Sequence, residues 1–382
     1  MDSLERMEKA MRLSKPDRVP LMCQPSWGFV LMQNPDIDPV DLWHNHNDAY
    51  PKAFCNISKR FHFDGVLIPG IGLRSSKKQD IDYMDRKENG DVVIHFINGD
   101  TCTYCRDDLP RYSYKKNPEV DIEEFNPDSI GEKLEYHPVS TRLRMWMQHT
   151  PEGRVAEIRK TREIMGEACS VHGSVYSPED YLIDLLGTEE AMMAMLTYPD
   201  KCKEILSRFA FSVARHLQEQ IDAGINAVNT SAPWAGQSFI SLDIYEKIIA
   251  PAQKILVDVC RKNDIPCYCH TCGAINDRLE LIVDVGFDGL ECLDPPPLGN
   301  VKLEEAVNRI GNRAFIKGNI DPVNMLMNGT IDEIRKDVIK RLEIGMKAKG
   351  FILSTACSIA PETPPGNLDA LYEMVDKYGV YR

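Results

Sequence analysis

The residues in this chain best suited to bind a soft metal ion lie in two short pieces that are far apart along the sequence. His270, Thr271, Cys272 and Gly273 form the first piece, and Cys357 forms the second. Both follow apolar runs that are typical of buried strands. Imidazole and thiolate are ligands that zinc prefers, and three protein ligands leave a fourth position open for chemistry. The two pieces therefore predict a catalytic zinc site, provided that the fold brings two strand ends together.

The charge of this ligand set indicates which chemistry the zinc would support. Two thiolates and a neutral imidazole nearly neutralise Zn²⁺, which makes the ion a poor source of hydroxide. Such an ion suits a sulfur ligand, because it lowers the pKa of a bound thiol and leaves the thiolate nucleophilic. It can also polarise an ether or a thioether, so that the attached methyl group is easier to remove.

Other cysteines near these pieces have simpler interpretations. A lone His-x-Cys is often a packed pair in a core, so packing is also the alternative for His270 and Cys272. We expect Cys267 and Cys269, which precede the first piece, to pack in the core. Residues 102–105 (Cys-Thr-Tyr-Cys) resemble half of a zinc or redox motif, but no second half follows, so we expect a structural role.

Further polar and aromatic side chains lie at or near the ends of predicted strands. We expect them to line a substrate pocket, to cap helices or to bind water. Glu291 is also our candidate for a fourth zinc ligand at rest, which a substrate would displace. The expected substrate-binding residues are Trp27, His172, Asn229, Trp234, Glu291 and Asn319.

Eight short runs rich in Val, Ile, Leu and Phe recur along the chain, and amphipathic helical stretches separate most of them. Strands that alternate with helices pair in parallel through right-handed crossovers. Eight such units predict an α/β fold of the (β/α)8 TIM-barrel type, with its chemistry at the C-terminal ends of the strands. An open doubly wound sheet is the alternative. The runs are residues 19–23, 65–69, 168–172, 227–231, 266–270, 289–293, 314–317 and 351–354, and the helical stretches include 191–217, 242–262, 275–285, 303–309 and 331–349.

One segment interrupts this alternation. Residues 81–114 alternate polar and apolar side chains around Asn98-Gly99, a pair that favours a tight hairpin turn. We therefore predict a single domain over residues 1–382, with an N-terminal helical segment and a β-hairpin inserted at about residues 81–114. Residues 115–145 are rich in Pro, Asp and Glu, and we expect them to wrap the surface.

Composition limits the partners and the compartment. The chain has 382 residues and a formal net charge of −13, which argues against nucleic acid and against a polyanion held by bulk charge. Its 12 cysteines follow no regular pattern, and the first twenty residues lack the apolar core of a signal peptide. No apolar stretch approaches the length of a membrane span. We expect a cytoplasmic protein that contacts no membrane, and a homodimer stays open.

The sequence resembles the uroporphyrinogen decarboxylase superfamily, and within it the zinc-dependent corrinoid methyltransferases. Residues 318–322 (Gly-Asn-Ile-Asp-Pro) are typical of the superfamily, whereas His-x-Cys followed by a late cysteine is typical of the zinc-dependent branch. The resemblance covers most of the chain and is strongest over residues 224–379. It implies a (β/α)8 barrel and a zinc ion held by His270, Cys272 and Cys357. Further matching pieces are residues 234–236 (Trp-Ala-Gly), 351–354 (Phe-Ile-Leu-Ser) and 363–367.

Departures from the decarboxylase argue against its reaction. That enzyme carries an arginine-rich stretch after its first strand, whereas residues 24–29 here are Gln-Pro-Ser-Trp-Gly-Phe. It also carries an aspartate after its second strand, where residues 69–72 here are Pro-Gly-Ile-Gly. A porphyrinogen with many carboxylates would therefore be poorly neutralised. The aspartate before Trp-Ala-Gly is also replaced, by Ala232-Pro233.

The resemblance further implies a partner and a reaction. The corrinoid-binding pattern Asp-x-His-x-x-Gly has its nearest match at residues 60–65, which lack the Asp, so we expect His62 to be structural and a separate corrinoid protein to be the partner. Residues 294–299 (Asp-Pro-Pro-Pro-Leu-Gly) resemble members that demethylate methyl donors. The implied function is methyl transfer between a small-molecule donor, such as a methyl ether, methylamine or thioether, and that corrinoid protein. A methylcorrinoid:thiol methyltransferase is the first alternative, and a barrel with a structural zinc that only binds a ligand is the second.

Overall fold

A computed structural model describes residues 1–69, 81–116, 119–140 and 143–382. Within these residues, seven parallel strands form one curled sheet with the order β1-β8-β9-β10-β11-β12-β13. Two smaller antiparallel sheets, β2-β3-β4-β5 and β6-β7, lie between β1 and β8 along the chain. The strands are β1 (Gly65–Leu67), β2 (Ile81–Arg86), β3 (Val92–Phe96), β4 (Thr101–Tyr104), β5 (Arg111–Ser113), β6 (Tyr136–Ser140), β7 (Leu143–Trp146), β8 (Ser170–Tyr176), β9 (Ala227–Ser231), β10 (Cys267–Thr271), β11 (Gly289–Cys292), β12 (Phe315–Ile320) and β13 (Phe351–Thr355).

Residues 19–23 close this sheet into a barrel. Leu21 pairs in parallel with Leu353 of β13, and the N–H of Met22 donates to the carbonyl of Leu353 at 3.0 Å. On the other side, the N–H of Asp64, which directly precedes β1, donates to the carbonyl of Leu21 at 2.7 Å. All eight predicted strands are therefore found at the barrel wall, and the predicted (β/α)8 barrel is confirmed.

Amphipathic helices cover the outside of the barrel. In α14, for example, Ile334, Val338 and Leu342 form a buried stripe at helical spacing, and a capping box of Thr330 and Glu333 starts the helix. None of the helices in the described ranges is long and apolar enough to cross a membrane. The α-helices are α1 (Ser3–Met11), α2 (Trp27–Gln33), α3 (Pro39–Trp43), α4 (Ala49–Arg60), α5 (Pro151–Arg154), α6 (Ala156–Met165), α7 (Pro178–Leu186), α8 (Thr188–Thr197), α9 (Pro199–Asp222), α10 (Leu242–Ile244), α11 (Ala250–Lys262), α12 (Leu279–Val285), α13 (Leu303–Ile310), α14 (Ile331–Gly345) and α15 (Pro365–Tyr378), with π-helical turns at Tyr245–Ile249 and Pro322–Met327.

The inserted segment has the predicted bounds but contains four strands instead of the two of a hairpin. In the described ranges, β2 to β5 form a four-stranded sheet, and Asn98-Gly99 connects β3 to β4 as expected. A second Asn-Gly pair, Asn89-Gly90, connects β2 to β3, and Gly90 and Gly99 have φ values of +87° and +88°. The prediction fell short because it weighed only one of the two turn signals. In residues 115–145, which we expected to wrap the surface, the described ranges contain β6 and the start of β7.

The filling of the barrel changes from apolar to polar along its axis. At one end, α1 packs against an apolar cluster that includes Met22, Leu67, Tyr268 and Phe315. Nearer the other end, a chain of hydrogen bonds crosses the interior and involves side chains of five strands. The polar end is the one at which the strands terminate, where barrel enzymes carry their chemistry. The linked side chains are Ser174, Asn229, Glu291, Lys317 and Ser354.

Candidate metal centre

Four side chains converge at the polar end of the barrel. The metal-binding atoms of His270, Cys272, Cys292 and Cys357 all lie within 4.8 Å of one another. His270 lies in β10, Cys292 ends β11, and Cys357 follows β13. The structure thus brings together the three residues that the sequence singled out. It adds Cys292, which our prediction missed although its position at a strand end was the same signal that identified His270.

The spacing of these atoms fits a zinc ion. The Sγ atom of Cys272 lies 3.4 Å from Nε2 of His270 and 3.6 Å from Sγ of Cys357. Tetrahedral zinc, with Zn–S near 2.3 Å and Zn–N near 2.0–2.1 Å, sets its ligand atoms about 3.5–3.8 Å apart. A soft donor set with this spacing therefore needs little rearrangement to hold the ion.

Glu291 holds the histidine ring and does not join the four grouped atoms. Its Oε2 atom lies 3.0 Å from Nδ1 of His270 and accepts a hydrogen bond from the side chain of Asn229 at 2.7 Å. A carboxylate on Nδ1 fixes the tautomer and leaves Nε2 free to bind a metal. The expected fourth ligand thus lies behind the imidazole, where it orients a ligand and increases its basicity.

A buried lysine keeps Glu291 ionised. The Lys317 ammonium donates to Oε1 of Glu291, and the two side chains are 1% and 2% exposed. Burial by itself raises the pKa of Glu291, but the charge of Lys317 and the bond to His270 outweigh it and lower the pKa to about 2. The carboxylate behind the imidazole is therefore negative at every physiological pH.

The thiols of the metal group differ in pKa. Hydrogen bonds from Cys272 and Cys292 hold the pKa of Cys357 well below its usual range, although burial opposes them. Burial, together with hydrogen bonds to Cys272 and Cys357, raises the pKa of Cys292 well above its usual value. The arrangement therefore favours a thiolate at Cys357, the form in which cysteine binds zinc.

Residues 294–300 brace the loop that carries Cys272. The N–H of Gly273 donates to Oδ2 of Asp294 at 2.6 Å. A Cβ atom on Gly299 would lie 2.5 Å from the carbonyl oxygens of Gly273 and Asp294, so only glycine fits this contact. The side chain of Asn300 accepts the N–H groups of residues 275 and 276, both at 3.0 Å. The proline-rich segment therefore sets the position of the metal-binding loop.

Two buried carboxylates near His270 each have an oxygen without a partner. Asp180 and Asp294 are 5% and 3% exposed, and Oδ2 of Asp180 and Oδ1 of Asp294 have no hydrogen-bond partner among the described residues. Burial raises the pKa of Asp294 to about 6 and that of Asp180 well above its usual range, while the charge of His270 lowers both. These two carboxyl groups therefore add no positive charge that could neutralise an anion.

His172 does not lie at the strand end, where we expected it. The strand β8 continues to Tyr176, because residues 173–176 pair with β9. His172 is fully buried, and its ring nitrogens bond to Ser170 and to Tyr268, each at 3.0 Å. Its contacts are those of a barrel-core residue below the metal group.

The other predicted pocket residues do not belong to the four grouped side chains and have contacts of their own. The side chain of Asn319 donates to the carbonyl of Leu293 at 2.8 Å, just after β11, and is also bonded to Arg341 of α14. Trp27 stacks on Trp43 with ring centroids 3.8 Å apart. Trp234 contacts Phe239 edge-on at 5.0 Å. Asn229 is linked to the metal group through Glu291, because its side chain donates to the carboxylate that faces His270.

The remaining cysteines have the structural roles that we expected. Cys267 and Cys269 are buried and lie 3.5 Å and 3.3 Å from the hydroxyl oxygens of Thr230 and Thr271. Cys102 is buried in the four-stranded sheet, away from the metal group. All 12 cysteines belong to the described residues and are free thiols. The ring of His62 stacks on Tyr372 at 4.4 Å.

Comparison with known proteins identifies relatives of two kinds. The family model described as uroporphyrinogen decarboxylase (URO-D) matches residues 145–378. The chain is 28% identical over 240 residues to a methylcobamide:CoM methyltransferase, MtbA, of Methanosarcina acetivorans, which covers 59% of this chain and 65% of the relative. It is 30% identical over 226 residues to a uroporphyrinogen decarboxylase of Prochlorococcus marinus, covering 56% and 61%. The chain thus spans slightly less than two thirds of the length of these relatives.

A solved structure resembles the whole chain. A methyltransferase from Methanosarcina mazei superposes with a TM-score of 0.73 at 18% sequence identity, and the match covers 99% of each chain. At this level of identity the likeness shows a common fold. The inserted sheet and the barrel therefore belong to one architecture that both proteins share.

Proposed function

The chain belongs to the uroporphyrinogen decarboxylase family, and from this we propose that it is a zinc-dependent methyltransferase that acts with a corrinoid protein. One observation carries the proposal. His270, Cys272 and Cys357 converge at the mouth of the barrel with the spacing of zinc ligands. Relatives of this chain include both methyltransferases and decarboxylases, so the ligand set is what favours methyl transfer.

Each residue of the site has a part in this proposal. His270, Cys272 and Cys357 would hold the ion, which would supply Lewis acidity toward the heteroatom of a bound substrate. Glu291 orients the imidazole through Nδ1. Asp294 holds the Cys272 loop through the N–H of Gly273, so that the ligands keep their places while substrate enters.

We propose the donor-demethylating direction. A methyl ether, methylamine or thioether would give its methyl group to Co(I) of the partner's corrinoid, and its heteroatom would keep the bonding pair. The proline-rich segment supports this direction, since it resembles demethylating members and packs on the Cys272 loop. The unpaired oxygens of Asp180 and Asp294 offer hydrogen-bonding capacity without positive charge, which suits a neutral or cationic donor.

A methylcorrinoid:thiol methyltransferase is the second candidate. The Methanosarcina acetivorans relative, a methylcobamide:CoM methyltransferase, favours it, and a thiolate acceptor would suit the same ligand set. Uroporphyrinogen decarboxylation fits less well. Residues 24–29 supply no arginine to neutralise a polyanionic porphyrinogen, and the buried carboxyl groups of Asp180 and Asp294 add no positive charge.

A methyl-transfer assay tests the proposal. The protein is mixed with a reduced corrinoid protein and a panel of methyl ethers, methylamines and thioethers, and the absorbance of methyl-Co(III) is followed. At least one donor should give this product, and Cys272→Ala should abolish it. Cys269→Ala is the matched control, because Cys269 lies on β10, the strand that directly precedes Cys272, and outside the metal group. Methyl transfer by Cys272→Ala at the wild-type rate would contradict the proposal.

The partner and the compartment follow from the same reasoning. The chain shows no complete corrinoid-binding pattern, so we propose that the corrinoid comes on a separate protein that docks over the barrel mouth. Free thiols at every cysteine support work in a reducing compartment such as the cytoplasm.

A further inference from the structure

We propose that Cys292 is the fourth ligand of this metal site at rest and that an incoming substrate atom replaces it. The inference rests on the proposed function, because it concerns how substrate reaches the same ion. With Cys292 bound, the resting ligand set is a closed set of three thiolates and one imidazole, instead of His-Cys-Cys with an open position.

The position of the Cys292 sulfur is the first observation that supports its role as a ligand. Its Sγ atom lies 3.4 Å from both ring nitrogens of His270, Nδ1 and Nε2, and 3.9 Å from Sγ of Cys272. The separations from Nε2 and from the Cys272 sulfur are close to those between neighbouring ligands of tetrahedral zinc, and a small movement of the sulfur away from Nδ1 would complete the arrangement. The side chain is fully buried, and the sulfur faces the other three metal-binding atoms. A thiol in this place would bind the ion unless something else occupied the position.

The backbone supports the assignment. Cys292 and Leu293 have φ values of +79° and +52°, in the left-handed region that residues other than glycine rarely adopt. Such conformations persist only where the surroundings enforce them, and they cluster at functional sites. Here Asn319 holds the carbonyl of Leu293 at 2.8 Å. The fold therefore imposes an unfavourable conformation at the residue that directs its sulfur toward the site.

The same strain singles out Cys292 as the ligand that leaves. Glu291 fixes His270, and residues 294–300 brace the loop of Cys272. The segment of Cys357 is held by the N–H of Ala356, which donates to Ile320 at 2.7 Å. Among the four residues of the group, Cys292 alone has a left-handed backbone, so the conformation that directs its sulfur toward the ion is the least favourable of the four.

The replacement of the Cys292 thiolate by a substrate atom can be balanced in protons and charge. When a selenol or thiol enters, its proton passes to the released Cys292 thiolate, and the number of anionic ligands stays the same. When a neutral ether or amine enters, the released thiolate takes a proton from solvent. A closed set of four ligands that never exchanges would instead be typical of a structural zinc site.

Zinc X-ray absorption on the purified zinc-loaded protein tests the resting ligand set. The wild type should show three sulfur ligands and one nitrogen, and Cys292→Ser should show two sulfurs. Cys269→Ser, a buried cysteine of β10 outside the group, should keep three. Three sulfurs in Cys292→Ser would overturn the proposal, as would two in the wild type. Loss of zinc from Cys292→Ser, with the control loaded and circular dichroism unchanged, would support ligation.

Addition of ethaneselenol tests the exchange. One selenium should appear on zinc while the sulfur count of the wild type falls from three to two. A sulfur count that stays at three, without selenium, would overturn the exchange and indicate a closed structural site. Failure of the proposed function looks different, because Cys272→Ala and Cys357→Ala would then keep full zinc or the wild type would bind none.

Discussion

Replacing Glu291 by glutamine should weaken metal binding without touching a metal ligand. The substitution keeps the size of the side chain and removes the charge that faces Nδ1 of His270 at 3.0 Å. Loss of such a partner typically lowers metal affinity about 10- to 100-fold, or about 1.4–2.7 kcal/mol. We expect the zinc Kd of Glu291→Gln to rise by that factor.

The same substitution has a second effect that must be separated from the first. It leaves the Lys317 ammonium, 1% exposed, without its carboxylate partner. Breaking a buried pair in this way costs about 3–5 kcal/mol of folding free energy. The double variant Glu291→Gln/Lys317→Met removes the stranded charge, so most of this stability should return while the zinc affinity stays low.

Two measurements separate the effects. Competition with a chromogenic chelator gives the zinc Kd of each variant, and urea unfolding of the metal-free proteins gives their free energies. The reasoning would be refuted if Glu291→Gln bound zinc within twofold of the wild type. Full recovery of zinc affinity in the double variant would also refute it, since Glu291 would then act only through the stability of the core.

Three further substitutions test other parts of the account. Gly299→Ala should lower the zinc content per chain and cost about 1–3 kcal/mol of stability, because its Cβ would lie 2.5 Å from two backbone oxygens. Gly366→Ala is the control, since a Cβ there would have nothing within 4 Å, and it should change neither the zinc content nor the stability. Equal zinc content in both variants would contradict the bracing role. His172→Gln should make the free energy of unfolding depend less on pH below about pH 7. Burial, and then the charge of Lys317, lower the pKa of His172 to about 3, so below about pH 6.5 the unfolded chain binds a proton that the folded chain does not. Between pH 7 and pH 5 the wild type should therefore lose about 2 kcal/mol more than the variant in urea unfolding, and parallel profiles would be evidence against a neutral buried ring. His62→Ala should leave corrinoid-dependent turnover unchanged, because its ring stacks on Tyr372, and loss of turnover would show a corrinoid contact that the sequence pattern hid.

The barrel could be predicted because each strand is a short apolar run buried on both faces. That signal located residues 227–231, 266–270 and 351–354 almost to the residue. It failed at β8, which runs on through Gly173 and Ser174, since these residues carry no strand preference. Pairing with β9 extends the strand, and His172 is therefore in the middle of it.

The metal group was predictable in part. His270, Cys272 and Cys357 are separated along the chain, but the barrel topology places their strand ends at one mouth. Cys292 also ends a predicted strand, but the direction of its sulfur depends on two left-handed backbone conformations at the end of β11, which no pattern of residue types reveals. The position of Glu291 depends on the register that sets it beside His270 and Lys317. These features arise from pairing between strands.

Stepwise return of zinc to the metal-free protein tests the central claim most directly. The rate of methyl-Co(III) formation is measured with a saturating donor and a reduced corrinoid protein after each addition. It should rise linearly and stop at one zinc per chain, and Cys357→Ala should show no rise. A rate that does not depend on zinc, or a Cys357→Ala variant that responds like the wild type, would contradict the assignment of this site.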